Sequence, residues 1–195
     1  MIYGVGINDY EYPVKIKGKH IPEYLVWRSM ISRCYNTNYH KSKNYENHTV
    51  CEEWLSFSNF KKWMDTKDWV GKQLDKDLLI ENNLIYGPDT CVFISSALNK
   101  FITTKHNYRG ECPLGVTRQN DGNNFVATVS VNSNNVYLGS FRTMYEAHCA
   151  WRNEKMKLLN EYIKNEKDPD VVRGLNRVYE KLKIEKLNNQ ETKRL

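Results

Sequence analysis

LGVTRQNDGNNFVATVSVNSNNVYLGSF, residues 114–141, alternates as few other stretches of this chain do. Phe125, Ala127, Val129 and Val131 form an apolar row, and Val126, Thr128, Ser130 and Asn132 a mostly polar one. A period of two puts one face on a core and the other in water, the pattern of a half-buried strand. After NSNN the alternation resumes, with Val136 and Leu138 expected inward and Asn135 and Tyr137 outward. A shorter run begins at Val116 and breaks at QNDGNN. The stretch therefore predicts three antiparallel strands joined by two tight turns.

A helix to cover the apolar row comes directly after the strands. Thr143 and Glu146 have the T-x-x-E spacing of a capping box. The helix they open carries Ala147, Ala150, Trp151, Leu158, Leu159, Tyr162 and Ile163, with small alanines early enough to let it approach a sheet closely. NEKDPD ends it, and a second amphipathic helix uses Val171, Val172, Leu175, Val178, Tyr179, Leu182 and Ile184. The tail, NNQETKRL, is expected to fray.

Upstream the grammar differs. Pro22 suits a first helical turn, and Tyr24, Trp27, Met30, Ile31 and Cys34 recur at helical spacing up to about Asn36. Trp54, Phe57, Phe60, Trp63 and Met64 form an aromatic stripe along a second helix capped by Ser56 or Ser58. At that spacing the rings are expected in a core rather than on a base-stacking platform. Residues 73–101 predict a hairpin followed by a helix that starts at SSALNKF, with Ser95 or Ser96 as cap. ITTKHNYRGECP, residues 102–113, has the composition of a linker.

Composition sets the wider bounds. A chain of 195 residues, 40% hydrophobic and 27% charged, holds one medium domain or two small ones. No apolar run approaches membrane-spanning length. The N-terminal residues lack the apolar core of a signal peptide, so the chain is expected to stay in the cytoplasm. Five widely spaced cysteines without a C-x-x-C pair predict reduced thiols. Cys34, His40, His48 and Cys51 could be combined into a zinc site, but buried thiols beside aromatic rings are the expectation. The net charge of +6 is spread without a dense basic block, which is compatible with nucleic acid but does not require it.

Two resemblances refine this. Residues 114–163 resemble the DNA-binding domain of plant ethylene-response factors, the Apetala-two type, through Gly115 and Val116, the aromatic Phe125, YLGSF at 137–141, and the T-x-x-E-A and A-W pairs of the following helix. That resemblance implies a sheet lying in the major groove of duplex DNA, with Thr117, Gln119, Thr128, Ser130, Asn135 and Tyr137 toward it and Arg118 and Arg142 nearby. The plant domains present mostly Arg and Trp there, whereas this face is amides, hydroxyls and a phenol. Residues 73–101 resemble the core of HNH nucleases of the phage homing-endonuclease branch. W-x-x-M-x-x-R-C-Y at 27–35 and V-C-x-E-W-x-x-F at 50–57 strengthen the match.

An HNH site implies one divalent cation, held by a strand-end ligand and a helix ligand, and a histidine that deprotonates water. On this chain Asp75 takes the first ligand position, Asn99 the helix position and Lys76 the histidine position, with Asp77 as a spare carboxylate. A lysine, with a reference pKa near ~10.4, is a poor general base at neutral pH.

The expected architecture is α+β. An HNH-like module spans 1–101 (core 73–101), a linker 102–113, an Apetala-two-type domain 114–164, and a C-terminal helix and tail 165–195. The expected function is binding of double-stranded DNA, with the first module on the backbone through Arg28 and Arg33. The rivals are a Mg²⁺-dependent nicking endonuclease using Asp75, Asp77 and Asn99, and a phage inhibitor of a host or defence protein.

Overall fold

The first apolar face to find its partner is that of the helix that Pro22 opens. The computed structural model describes residues 1–40, 47–103, 112–119, 122–131 and 134–195. The polypeptide divides into two compact units, Met1–Ile94 and Ser95–Leu195.

In the first unit a two-residue pair, β1 (Lys15–Ile16) and β2 (Lys19–His20), leads into α1 (Pro22–Tyr35) and the single turn α2 (Thr37–His40). Pro22 stands in the first turn of α1, where its missing N–H costs no helical hydrogen bond. Tyr24, Trp27, Met30, Ile31 and Cys34 are all buried, as their spacing predicts. β3 (Thr49–Val50) and a 3₁₀ turn at Glu52–Leu55 precede α3 (Phe57–Met64). Trp54 thus lies on the 3₁₀ turn and not on α3, but the stripe is still core. Trp54, Phe57, Phe60 and Met64 are fully buried, Trp54 meets Phe60 edge-on at 5.0 Å, and the Trp27 Nε1–H donates to the Trp54 carbonyl at 2.8 Å. Ser56 is the cap of α3, its Oγ accepting from the Asn59 N–H at 3.2 Å. The same hydroxyl donates to Asp9 at 2.6 Å. This bond and those from Ser58 hold the Asp9 carboxyl at about 2, although desolvation alone would raise it.

β4 (Lys72–Asp75), β5 (Ile85–Tyr86) and β6 (Val92–Ser95) complete the unit. Here the structure departs from a simple hairpin. β4 pairs with β6, while β5 leaves to pair with β3 in parallel, Thr49 opposite Ile85 and Val50 opposite Tyr86. Two-residue strands have no period to read, which is why the sequence does not announce them.

The second unit opens with α4 (Ser96–Ile102), capped by Ser95, whose Oγ accepts from the Leu98 N–H at 3.1 Å. β7 (Val116–Arg118), β8 (Phe125–Val131) and β9 (Asn134–Phe141) form one antiparallel sheet in the order 7-8-9. α5 (Met144–Asn165) packs across it and α6 (Pro169–Leu187) packs on α5. The three strands and the covering helix agree with the expectation. The capping box is complete, with Thr143 Oγ1 accepting from the Glu146 N–H and the Glu146 carboxylate accepting from the Thr143 N–H. Val116, Ala127 and Ala147 are the centre of the core, with Val129 also buried.

Two expectations fail. Val136 lies opposite the buried Val129, on the core side, yet is 44% exposed rather than covered. The pairing shifts between Ala127 and Thr128, so that Gly139 faces Ala127, Tyr137 faces Thr128 and Leu138 has no opposite number. The extra residue leaves Asn135 and Tyr137 on the outward side and Val136 on the side of Val129, as the alternation predicts, and of β9 Leu138 and Phe141 pack against the core. The tail is also not frayed. Thr192 is fully buried, and its carbonyl accepts from the Leu114 N–H at 3.2 Å. Among the described residues no helix is long and apolar enough to cross a membrane.

Candidate functional site

Alternation along β8 sorts the second unit's predicted residues. The buried row is Val116, Ala127 and Val129. On the opposite side Thr117 pairs with Val126, Thr128 with Tyr137, and Ser130 with Asn135. Thr117, Ser130 and Asn135 are exposed, Thr128 is half-buried, and Tyr137 is 63% exposed, so this face is open to solvent in the second unit. The two long strands make a ribbon of seven and eight residues, and the third, β7, covers only three positions beside it.

Gln119 lies at one end of that face. Its Oε1 accepts from the Ser140 hydroxyl of β9 at 3.2 Å, so the side chain spans the middle strand. Arg142 comes just after the end of β9 and is exposed. Arg118 goes elsewhere. It shares the parity of Val116, its guanidinium sits 4.9 Å from the centre of the Phe125 ring, and its Nη1 donates to the Gly122 carbonyl at 3.3 Å. The open face therefore carries hydroxyls, amides, one phenol and one half-buried valine.

The predicted catalytic residues of the first unit make a compact turn. Asp75 ends β4, and its Oδ1 accepts from the Asp77 N–H at 3.0 Å and the Leu78 N–H at 2.8 Å. Burial raises its carboxyl above the ordinary value. The hydrogen bond from Leu78 opposes that rise, and the Asp77 charge adds to it. Lys76 is only 6% exposed. Its Nζ donates to Asp77 Oδ1 at 2.6 Å and to the Asn83 carbonyl at 2.7 Å, while the Asn83 amide donates back to the Lys76 carbonyl at 2.8 Å. The Lys76 ammonium is thus held between Asp77 and the Asn83 carbonyl, and Asp75 Oδ1 is already engaged as the cap of the turn. The set suits a locked turn better than a divalent cation such as Mg²⁺.

Asn99 stands on α4 in the second unit, its Oδ1 accepting from the Thr103 hydroxyl at 2.9 Å. Among the described residues no three His, Cys, Asp or Glu side chains gather as a metal site. Of the zinc alternative, the His40 side chain lies outside the described residues. Cys34 is buried, and desolvation pushes its thiol to about 12, as it does that of Cys91.

A stripe on α5 is missing from the sequence reading. His148, Arg152 and Lys155 are 0%, 1% and 5% exposed, and each meets a carbonyl of another segment. The His148 Nδ1–H donates to Leu114 O at 3.0 Å, Arg152 Nη2 to Gln190 O, and Lys155 Nζ to Phe101 O. The His148 tautomer is thereby fixed, because its Nε2 must accept from the Thr192 N–H, 2.9 Å away. The spacing 148, 152, 155 marks one helical face, and that was the available signal.

The fold and this geometry define a two-unit α+β chain whose second unit is a three-stranded sheet backed by helices, with one face open. Comparison with protein-family models, curated proteins and solved structures returned no match.

Proposed function

We propose that this chain binds double-stranded DNA through the outward face of β8 and β9, with the first unit as a non-cutting HNH-like module. One observation carries the reading: Thr128, Ser130, Asn135 and Tyr137 stand on one uncovered side of a two-stranded ribbon whose other side is core. A ribbon of that width enters the major groove, and alternate side chains then meet base edges. The resemblance of residues 114–163 to the Apetala-two type supports the same docking. The Lys76 lock supports the non-cutting assignment, since it puts a bound ammonium where the resembled enzymes have their base.

Electrostatics decides the strength. The face is neutral, and Arg142 is the cation at the end of β9, so few counterions are released and affinity rests on groove contacts. Mobility shift on duplex DNA over graded salt is expected to show binding with a shallow salt slope. Arg142→Ala should reduce the slope by about 1. Absence of any shift at low salt ends the proposal.

A further inference from the structure

Resting on that reading, we infer that the face selects A·T base pairs and that Asn135 is the residue that specifies adenine. Guanine is most often read by the paired donors of Arg or Lys on its O6 and N7, adenine by the donor and acceptor of an amide, and thymine by apolar contact with its methyl group. Within β7, β8 and β9 the described residues of the open face lack the first kind of group, and Arg142 lies past the end of β9. Arg118, the arginine that the sequence places at β7, turns to the row of Val116, where the Phe125 ring and the Gly122 carbonyl hold it. Gln119 Oε1 already accepts from the Ser140 hydroxyl, which orients its amide along the sheet.

Asn135 is exposed, opposite Ser130 and near the far end of the ribbon from the Gln119–Ser140 clasp. It can present a carbonyl and an NH₂ together. Between the two ends lie the Val126 side chain, the Thr128 methyl and the Tyr137 ring, which suit thymine methyl groups. Val126 and Thr128 are half-buried, so they contact a ligand without having to be ordered by it.

The test is a fluorescence-anisotropy titration of the full chain with A·T-only and G·C-only duplexes of equal length at one low salt concentration, repeated with Asn135→Ala and Asn135→Arg. The expected result is about tenfold tighter binding of the A·T duplex, which Asn135→Ala removes and Asn135→Arg shifts toward G·C. Equal binding of both duplexes by the unmodified chain, or a preference that Asn135→Ala leaves intact, overturns the inference while DNA binding stands. No binding to either duplex overturns both. Asn135 is a surface residue, and an unchanged circular dichroism melt shows that its variants fold.

Discussion

Gly115→Ala is expected to destabilise the second unit by about 2 to 4 kcal/mol. Two causes act together. The backbone at Gly115 has φ +77°, in the left-handed region that a side chain disfavours. A Cβ built there would also stand 1.9 Å from Trp151 Cδ1 and 2.0 Å from Cγ. The indole cannot easily yield: it is 4% exposed and stacks on His148 with ring centres 5.2 Å apart. Gly115 is therefore the point at which α5 comes down on the start of β7. Urea unfolding measures the loss. The double variant Gly115→Ala/Trp151→Ala should cost clearly less than the sum of the two single changes, because removing the ring relieves the clash. Additive costs would show that the contact is not what makes the glycine necessary.

The second large effect is a loss of stability in acid that runs through His148. Burial holds its pKa down at about 4, with the Arg152 charge also lowering it, while the hydrogen bond to the Leu114 carbonyl acts the other way. In the unfolded chain a histidine titrates near ~6.5. Between these two values the unfolded state binds a proton that the folded state refuses, so stability is full above pH 6.5 and falls as pH drops toward 4. At about 1.4 kcal/mol per pH unit the fall amounts to about 3 kcal/mol. Protonation of the folded chain, at about pH 4, also takes away the lone pair that accepts from Thr192, so the tail should detach there. Urea midpoints at pH 7.5, 5.5 and 4.5 measure it, with His148→Gln as the comparison. The unmodified chain should lose more stability across the series than the variant, and parallel curves for the two would contradict the assignment.

Much of the second unit was legible in the sequence because its signals are local. The alternation of Phe125 to Val131 needs a single strand to be seen, and Thr143 with Glu146 needs one turn of helix. The failures have a common physical origin in bonds made to the backbone of distant segments. His148, Arg152 and Lys155 look like solvated side chains until their carbonyl partners at Leu114, Gln190 and Phe101 are known, and carbonyls have no residue type. The tail reads as disordered for the same reason: Gln190 and Thr192 are held by their main-chain groups. Arg152 even keeps Nε and Nη1 buried without a hydrogen-bond partner, a cost that no composition argument anticipates. At Val136 the parity was right, opposite the buried Val129, and the burial was not, because the alternation of one strand does not show whether anything covers that end of the sheet.

The candidate site divides in the same way. Which residues of β8 face outward was readable from the period of two. The side of Arg118 follows from the same period, two residues on from Val116, but its partners, the Phe125 ring and the Gly122 carbonyl, do not. Lys76 between two aspartates has the appearance of an exposed hairpin end. Its burial is the work of Asn83, seven residues on, which folds back to take its ammonium on the main chain and to return a hydrogen bond. Charge alone does not distinguish a general base, a phosphate contact and a structural lock. The partners do.

The placement of duplex DNA on one side of the sheet is tested most directly by amide and side-chain NMR shifts during titration with a short duplex. Perturbations are expected to concentrate at Thr117, Thr128, Ser130, Asn135 and Tyr137, with Val116, Ala127, Val129 and Ala147 nearly unmoved. Perturbations confined to α6 or to the first unit, with the β8 and β9 face silent, would contradict that placement.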